Sequence, residues 1–299
     1  MQDLELSVTI CSWNTREDLR ACLASLEAIR GEAAFEVIVI DNASGDGSAD
    51  MAEESFPWVR LYRMAKNLGF TGGQNYAMSE RKAPHAFLLN SDTVVHAGAL
   101  RSLLDFHAQY PQAGIIGPKL LNPDGSLQFS CRRFPNPWAA LFRNTFLGKL
   151  FPKNRFTREY LMQDVSHDEP AAVDWVSGAA MFASKDFIDK AGLLDEGYFM
   201  FSEDVDWCWR ARHAGFEVMY YPGSVITHAI GRSTEKVANK MIVRFHKSMF
   251  RFYRKNTLPL SSPFVRPLKL MAVAGLLWVR AGLFIAKNGM DSLRRKLRR

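Results

Sequence analysis

The sequence is poor in cysteine and has no apolar leader, and each shortage excludes a class of protein. Its four cysteines are neither paired as Cys-x-x-Cys nor placed at zinc-site spacing from a histidine. We therefore expect free thiols in a reducing compartment rather than a disulfide scaffold. The segment Met1–Leu6 is polar and acidic, unlike the core of a signal peptide, which predicts a cytoplasmic protein.

Acidic residues are nearly absent from the end of the chain. Residues 236–299 contain sixteen Lys or Arg and the single acid Asp291, a formal charge of +15, whereas residues 1–235 carry −8 and the whole chain +7. Apolar residues make up 47% of the chain, enough for a substantial core. A mildly acidic body joined to a strongly basic end predicts an anionic partner, either a membrane surface or nucleic acid.

The C-terminal part also lacks a long uninterrupted apolar run. Leu268–Ala286 is broken by Lys269 and Arg280, and its longest apolar stretch is Leu270–Val279. A spanning helix needs about 20 mostly apolar residues. We therefore expect a basic amphipathic helix peripheral to the inner face of the cell membrane, with the cluster in Leu293–Arg299 on anionic lipid. The alternative is a helix packed on the body; no nucleic-acid partner is expected, and no feature indicates an oligomeric state.

Strand-like and helix-like segments alternate through residues 1–117. The strands are continuously apolar, as expected for a parallel sheet covered on both faces. The pattern predicts an α/β fold with a doubly wound, mostly parallel sheet flanked by helices. The predicted strands are Val8–Cys11, Val37–Ile40, Val59–Tyr62, Ala86–Leu89 and Gly114–Gly117.

The alternation stops at Pro118, and residues 122–170 show no sustained period, which favours a functional loop. Regular patterns return at Val173–Ala183, with a helix near Glu203–Ala214 and a strand at Val218–Tyr221. We therefore divide the chain into a main domain, residues 1–238, and a helical basic extension, residues 239–299. The main domain has two halves, residues 1–117 and residues 118–238.

The turn after the first strand, Ser12–Arg16, contains no glycine. A dinucleotide-binding dehydrogenase needs a glycine-rich turn there, and a sugar nucleotidylyltransferase needs a loop rich in glycine and arginine. Both classes are therefore disfavoured. Asp41 follows the second strand, at the sheet edge where such folds bind ligands. It could accept hydrogen bonds from a base or ribose, or only cap the turn.

Two further segments are candidates for the same edge. The glycine-rich segment Asn67–Asn75, with Gly69 and Gly72, could approach a phosphate or sugar closely, or could be a tight turn. The sequence Asn90-Ser91-Asp92 ends the strand Ala86–Leu89. A carboxylate at Asp92 is a suitable ligand for a hard cation that bridges phosphates, although a turn residue is equally compatible.

The acids of Ser202–Asp206 open a helix, where acids also favour the helix dipole. Asp206 lies four residues before Arg210, as in an ordinary helical ion pair, whereas Glu203 and Asp204 have no such partner. Aromatic neighbours would desolvate a carboxylate and raise its pKa toward that of a general base. A lone histidine such as His228 is usually structural, but it could complete a metal site begun by Asp92.

Taken in order, these motifs resemble those of the inverting family-2 glycosyltransferases with the GT-A fold, above all the bacterial rhamnosyltransferase-like branch. The resemblance covers about residues 5–255. Its motifs are Asp-Asn-Ala-Ser from Asp41, Asn-x-Gly-Phe from Asn67, Leu-Leu-Asn-Ser-Asp ending at Asp92, Ser-Gly-Ala from Ser177 and Glu-Asp-Val-Asp from Glu203.

The resemblance implies a catalytic domain in which residues 1–117 bind the nucleotide sugar and residues 118–238 form the acceptor and catalytic half. It also implies a role for each motif. Asp41, Asn67, Gly69, Gly72, Asn75, Asn90 and Ser91 would border the nucleotide-sugar donor. Asp92 and His228 would bind a divalent metal, Mn²⁺ or Mg²⁺, and Asp204 would be the catalytic base. Trp175, Ser177, Gly178 and Glu203 would form the acceptor side. The first Asp of the usual Asp-x-Asp motif is Asn90 here, a replacement that the branch often shows.

The resemblance also implies substrates. The donor would be dTDP- or UDP-linked, with dTDP-rhamnose as the example from this branch. The acceptor would be a hydroxyl of a glycan or lipid-linked molecule in cell-surface polysaccharide synthesis. The Gln-x-x-Arg-Trp motif of processive members is absent, so we expect one sugar per encounter. A catalytically degenerate membrane-bound scaffold is the alternative, and the presence of Asp41, Asp92, Asp204 and His228 argues against it.

Overall fold

A computed structural model describes residues 3–143, 145–229 and 238–297. The strands are β1 Leu6–Ser12, β2 Phe35–Asp41, β3 Arg60–Arg63, β4 His85–Asn90, β5 Thr93–Val95, β6 Ala113–Leu121, β7 Leu127–Gln128, β8 Cys131–Arg132, β9 Ala171–Ala172, β10 Trp175–Val176, β11 Ala180–Ala183 and β12 Glu217–His228. The helices are α1 Arg16–Ala28, α2 Ser48–Ser55, α3 Gly69–Ser79, α4 Ala99–Gln109, α5 Pro137–Phe142, α6 Phe146–Leu150, α7 Arg155–Tyr160, α8 Lys185–Ala191, α9 Glu203–His213, α10 Ala238–Phe252 and α11 Arg266–Leu297. Short turns at Tyr253–Thr257, Leu258–Leu260 and Pro263–Val265 join α10 to α11.

One twisted sheet organises the body. Its strand order is β3-β2-β1-β4-β11-β6-β12-β5, with β7 beside β6 and β9 beside β12. The strands β3, β2, β1 and β4 run parallel, as do β6 and β12, and β11 lies antiparallel between β4 and β6. The predicted α/β class with a mostly parallel sheet is therefore confirmed. The sheet contains strands from both residues 1–117 and residues 118–238.

Helices cover both faces of this sheet, as the apolar strands predicted. Leu6, Val8 and Ile10 of β1 pack on one face with buried residues of α1, α2 and α4. The other face packs against α3, α8 and α9 through buried residues that include Phe187 and Trp207. Thr9 also points to that second face and donates a 2.7 Å hydrogen bond to Gln74 of α3. Because successive side chains of a strand point to opposite faces, each one packs with the helices on its own side of the sheet.

The structure differs from the sequence-based prediction in two places that concern function. Residues 122–170 are not one irregular loop, because they contain α5, α6 and α7 with the short strands β7 and β8. The strand β12 extends past Tyr221 to His228, with an irregularity in its pairing to β6 between Tyr221 and Val225. His228 is therefore the last residue of a strand and not part of the loop beyond it.

The C-terminal helices pack antiparallel against each other. Arg280 and Phe284 of α11 lie on Met249 and His246 of α10, and Asn288 hydrogen-bonds Asn239. Residues Pro263–Met290 have the length and composition of a membrane-crossing helix, since they contain an 18-residue window of mean hydropathy 1.8, although Lys269 and Arg280 argued against one. The predicted basic cluster in Leu293–Arg299 lies outside the residues whose side chains are described.

Asp206 joins α9 to the turn after α10. Its side chain is 0% exposed and binds Arg210 at 3.0 Å, Lys255 at 2.8 Å and Asn256 at 2.7 Å. It also accepts a 3.2 Å hydrogen bond from the Tyr198 hydroxyl. The predicted Asp206–Arg210 pair is confirmed, but it belongs to a buried network. Removing one partner from such a network leaves the other groups uncompensated.

Replacing this carboxylate should destabilise the fold. We expect Asp206→Asn to lower the free energy of unfolding by about 2–4 kcal/mol, because Lys255 and Arg210 lose a buried counter-charge. The matched control is Asp189→Asn, which breaks the exposed i,i+4 pair with Lys185 and should cost less than about 0.5 kcal/mol. Urea denaturation of both variants measures the difference, and equal losses would contradict the structural role of Asp206.

Candidate active site

A cleft of about 500 Å³ lies at the carboxyl ends of β1, β2 and β4. This is the edge where open parallel sheets bind ligands. The cleft brings together most of the site residues that the sequence predicted, from five separate parts of the chain. They are Asn67, Gly69, Asn90, Ser91, Asp92, Ser177, Gly178, Glu203, Asp204 and His228.

Asp92 and His228 meet because β5 pairs antiparallel with the end of β12. The register places His228 opposite Thr93, and the Ala229 amide donates a 2.9 Å hydrogen bond to the Asp92 carbonyl. The Nε2 atom of His228 then lies 3.3 Å from Oδ1 of Asp92. Both side chains are about nine-tenths buried. A strand pairing thus holds two candidate metal ligands side by side.

Gln128 determines which nitrogen of His228 carries a proton. Its Nε2 donates to the carbonyl oxygen of His228 at 3.1 Å and to the side-chain oxygen of Asn122 at 2.9 Å. The Oε1 of Gln128 must then face His228, where it lies 2.8 Å from Nδ1. Because this oxygen only accepts, we assign the proton to Nδ1 and a lone pair to Nε2.

This tautomer makes the Asp92–His228 pair suitable for a cation. Two acceptors, the Oδ1 of Asp92 and the Nε2 of His228, face each other, and a positive charge between them would relieve their repulsion. The amide of Asn90 lies 3.5 Å from the same nitrogen, at the outer limit of a hydrogen bond. Among the described residues, no group of three or more His, Cys, Asp or Glu could hold a metal.

Buried hydroxyl and amide groups hold the donor side of the cleft in place. The hydroxyls of Ser12, Thr15 and Ser91 form a chain with 2.9 Å between neighbours. Asn42 donates to the carbonyl of Gly69 at 2.9 Å and accepts from the amide of Leu68 at 2.7 Å. Ser91 and the loop at 67–69 are therefore positioned by the protein itself before any ligand binds.

The glycines of the Asn67–Asn75 segment are required by packing. Gly69 has φ +78°, and a Cβ there would lie 2.4 Å from the Phe199 carbonyl. A Cβ at Gly73 would lie 2.3 Å from the Cys11 sulfur. Gly72 does not line the cleft. Asn75 does not either, because its amide bonds the backbone of Leu194 at 2.9 and 3.0 Å.

Asp41 lies one residue before the cleft-lining Asn42. Its side chain is 4% exposed, and its Oδ2 accepts a 3.1 Å hydrogen bond from the Ser44 amide. Its Oδ1 is buried and has no hydrogen-bond partner within the described residues. A buried acceptor of this kind is unfavourable unless a donor reaches it, which suits the predicted contact with a base or ribose.

Asp204 lies at the start of α9 and lines the cleft. The Gly178 amide donates to its Oδ2 at 3.1 Å, and a Cβ at position 178 would lie 3.3 Å from that of Asp204. Burial raises the pKa of the Asp204 carboxyl above its usual range. The preceding residues Phe201 and Ser202 have φ of 71° and 64°, a strained conformation of the kind that collects at functional sites.

Glu203 is the second carboxyl at this point. Burial and the neighbouring charge of Asp204 raise its pKa well above the ordinary value. Its Oε2 is buried and has no hydrogen-bond partner in the described part of the chain. Glu203, Asp204 and Ser177 line both the donor cleft and a second cavity, and Trp175 lines that second cavity only. The structure thus places the four predicted acceptor residues around the Asp204 carboxylate.

Several residues of the site were not predicted from the sequence. Gln128, which contacts His228 without lining the cleft, lies in the stretch that looked irregular, where nothing marks it out. Lys240, Met241 and Arg244 of α10 line the donor cleft, and the Arg244 guanidinium lies 4.0 Å from the ring centroid of Phe199. The extension that was assigned to the membrane therefore also contributes to the cleft. The i, i+4 spacing of Lys240 and Arg244 is the one signal that could have indicated this.

Known proteins resemble this chain in sequence. The family described as glycosyltransferase-like family 2 matches residues 4–245. An N-acetylglucosaminyl-diphospho-decaprenol L-rhamnosyltransferase of Mycobacterium tuberculosis is 29% identical, and the alignment covers 98% of this chain and 97% of the relative. A low-salt glycan biosynthesis hexosyltransferase of Haloferax volcanii is 25% identical, with 72% of this chain and 64% of the relative covered.

Solved structures share the architecture. GalNAc-T7 with UDP, GalNAc and Mn²⁺ superposes with a TM-score of 0.57 at 15% identity, over 87% of this chain and 52% of that one. S. aureus TarS 1–349 superposes with a TM-score of 0.54 at 16% identity, over 94% and 80%. At these identities the likeness concerns the fold alone, and it confirms the expected GT-A architecture.

Proposed function

We propose, for a chain that belongs to the glycosyltransferase-like family 2, that the cleft transfers one sugar from a nucleotide-sugar donor to an acceptor hydroxyl with inversion at the anomeric carbon. The observation that carries the proposal is the presence in one cleft of the Asp92–His228 pair and the desolvated Asp204 carboxylate. The Asp92–His228 pair could hold a cation that neutralises a diphosphate leaving group. The Asp204 carboxylate could accept the proton of a hydroxyl nucleophile.

Asp204 is the base in this proposal. It removes the proton from the acceptor hydroxyl as that oxygen forms its bond to the anomeric carbon. The bond from that carbon to the diphosphate breaks at the same time, and the electron pair leaves with the nucleoside diphosphate. The Gly178 amide holds Oδ2 of Asp204, and the raised pKa of the carboxyl makes it a better proton acceptor. Asp206 cannot take this role because its oxygens are bound to cations in the core.

Asp92 and His228 would hold a divalent cation, Mn²⁺ or Mg²⁺. Such a cation, when bound, neutralises charge that develops on the diphosphate leaving group. Gln128 keeps His228 in the tautomer whose Nε2 can act as a ligand, and it fixes the plane of the ring. Asn90 and Ser91, together with the loop at 67–69, border the same donor side. Asp41, whose buried Oδ1 has no hydrogen-bond partner among the described residues, would contact the nucleoside.

The relatives suggest the substrates. The mycobacterial relative bears a name that specifies rhamnosyl transfer to a sugar joined through diphosphate to a lipid, and its full length aligns with this chain. We extend this substrate class to the present chain, with dTDP-rhamnose as the first donor to test and a lipid-linked diphosphosugar as the acceptor. Glycan synthesis at the cell surface is the process that such a reaction serves.

A location at the membrane surface follows from α11. One face of this helix exposes large apolar side chains, among them Met271 at 65% and Trp278 at 56%. The opposite face, with Leu277 and Arg280, packs against α10 and the body. Because the body covers one side of the helix along its middle, we place α11 flat on the membrane, with the basic end on anionic lipid.

The assignment of Asp204 gives a prediction for activity. Asp204→Asn should lower kcat about 10²- to 10⁴-fold and leave donor affinity unchanged, because only proton transfer is lost. In the wild type, kcat/KM should fall as the pH drops through the raised pKa of Asp204, because the protonated carboxyl cannot act as a base. This decline should occur at a higher pH than the ordinary aspartate pKa of 3.8 would give.

The control for this prediction is Glu203→Gln, which removes the neighbouring buried carboxylate. It should raise the acceptor KM more than it lowers kcat. Steady-state kinetics with dTDP-rhamnose and a lipid-linked diphosphosugar measures both variants. If Asp204→Asn keeps wild-type kcat while Glu203→Gln loses it, the base has been assigned to the wrong residue.

The metal proposal predicts a graded loss of Mn²⁺ binding. In the presence of UDP, His228→Ala should abolish binding, and Gln128→Leu should weaken it about 10- to 100-fold, since the tautomer is no longer held. Gln163→Leu, at an exposed glutamine, is the control and should bind as the wild type does. Electron paramagnetic resonance of free Mn²⁺ reports the affinity. Wild-type affinity in Gln128→Leu would contradict the tautomer argument.

The placement of α11 predicts binding to vesicles. Replacing Met271, Trp278 and Leu283 together by Ser should weaken partition onto anionic liposomes roughly 100-fold or more, because each side chain loses apolar burial. The control exchanges the exposed Val94 and Tyr110 for Ser and should float as the wild type does. Unchanged flotation of the triple variant would place the membrane contact elsewhere.

A further inference from the structure

A second cavity, of about 340 Å³, adjoins the donor cleft. The two share Ser177, Glu203 and Asp204, but Asp92 and His228 line only the donor cleft. An acceptor hydroxyl must lie at Asp204 to lose its proton, and the rest of that molecule must extend away from the donor. The second cavity is the space that adjoins Asp204 without overlapping the metal pair.

Three arginines from separate parts of the chain line this cavity. Arg132 is the last residue of β8, Arg143 comes just after α5, and Arg280 lies in the middle of α11. No ion pair between these guanidinium groups and a carboxylate is found within the described residues. Arg132 is nevertheless near enough to Asp204 for its positive charge to lower the pKa of that carboxyl, against the effect of burial. Their hydrogen bonds go instead to neutral acceptors: the Phe129 carbonyl, the Tyr160 hydroxyl, the Met249 sulfur and the Arg143 carbonyl.

Arg280 is the most informative of the three. It is 5% exposed, and its Nε has no hydrogen-bond partner, as is also true of the Nε of Arg132. Burial, with the nearby charge of Arg143, lowers the pKa of Arg280 to about 10, so the group is still charged at neutral pH. A buried cation without a counter-charge is unfavourable. The fold places this cation where an anionic ligand would compensate it.

A diphosphate fits this arrangement. Each guanidinium has five N–H donors in a planar fork that matches phosphate oxygens, and the protein acceptors use few of them. Aromatic rings hold the forks, since Arg132 lies 4.9 Å from the ring centroid of Trp175 and Arg143 lies 5.2 Å from that of Tyr160. The family resemblance assigns Trp175 to the acceptor side, and its contact with Arg132 gives Trp175 a definite role there.

The polarity of the surface beyond the arginines points to the acceptor. A smaller apolar groove adjoins the cavity and shares Pro135, Asn136 and Met249 with it. Val273, Leu276 and Leu277 of α11 line this groove. The cavity and the groove together therefore present carboxylates, guanidinium groups and an apolar helix. A sugar joined through diphosphate to a lipid offers one part to each of these three surfaces.

We propose that Arg132, Arg143 and Arg280 bind the diphosphate of the lipid-linked acceptor, so that its sugar hydroxyl reaches Asp204 and its hydrocarbon leaves along α11. This proposal rests on the proposed function and names the chemical group that the acceptor side recognises. It also assigns to Arg280 a role in acceptor specificity.

The test compares two soluble acceptors on the full-length protein. One is N-acetylglucosamine joined through diphosphate to a short alkyl chain, and the other is the alkyl glycoside without phosphate. Arg280→Met and Arg143→Met should raise the KM for the diphosphate acceptor about 10- to 100-fold, as expected for lost charge-assisted hydrogen bonds. The donor KM and the activity on the glycoside should stay within about twofold of wild type by the same reasoning. Arg280→Lys should recover part of the loss.

Lys269→Met is the matched control, because it removes an exposed charge from the same helix outside the cavity. It should leave both KM values unchanged. A rise in donor KM with Arg280→Met would show that the cavity binds the donor diphosphate instead. Equal losses on the two acceptors would show a merely structural role, and wild-type kinetics in both arginine variants would show no role. Each of these three results overturns the proposal.

A second measurement does not depend on activity. Inorganic pyrophosphate, in buffer that contains EDTA, should raise the Tm of the wild type, and Arg280→Met should lose this rise while Asp92→Asn keeps it. If Asp92→Asn instead loses the rise in Tm and Arg280→Met keeps it, the pyrophosphate binds in the donor cleft and the proposal is overturned. If the wild type binds pyrophosphate in this way but transfers no sugar, the arginine site stands and the proposed function fails. The two conclusions can therefore be separated.

Discussion

The network around Asp206 is the interaction on which the rest of the site depends. This carboxylate is fully buried and is compensated by Arg210 from its own helix and by Lys255 from the turn after α10. Positions two apart on a helix do not face the same way, so anchoring Asp206 in the core directs Asp204 toward the cleft. The same contact holds the C-terminal helices on the body. One buried charge thus positions both the proposed base and the helix that carries Arg280.

The chemistry of the site comes from polar groups that the protein leaves without partners. Oδ1 of Asp41, Oε2 of Glu203 and Nε of Arg280 are all buried and lack a hydrogen bond within the described residues. Asp92 and His228 face each other with two acceptor atoms. Buried polar groups are rarely left in this state, because each one costs free energy. In the proposals above, the Asp41 oxygen would meet the nucleoside of the donor, and the Arg280 nitrogen would meet the diphosphate of the acceptor.

The C-terminal extension belongs to the active site as well as to the proposed membrane contact. Its first helix contributes Lys240 and Arg244 to the donor cleft, and its second contributes Arg280 to the neighbouring cavity. The apolar face of α11 lies on the opposite side of the same helix. A charged residue that looks like an interruption of an apolar run is therefore buried where it can bind substrate. In this arrangement, binding to the membrane and binding the acceptor involve the same structural element.

The sequence by itself determined the fold class, because apolar periodicity reports which faces of strands and helices are buried. It also marked Asp92, Asp204 and His228, since strand ends and helix starts bring side chains to one edge of a parallel sheet. Tertiary structure alone decided how β5 pairs with β12, and therefore that Asp92 lies 3.3 Å from His228 with Gln128 behind it. It likewise brought Arg280 to the cavity beside Asp204. Such contacts join residues between 76 and 136 positions apart, and local patterns carry no information about contacts over that separation.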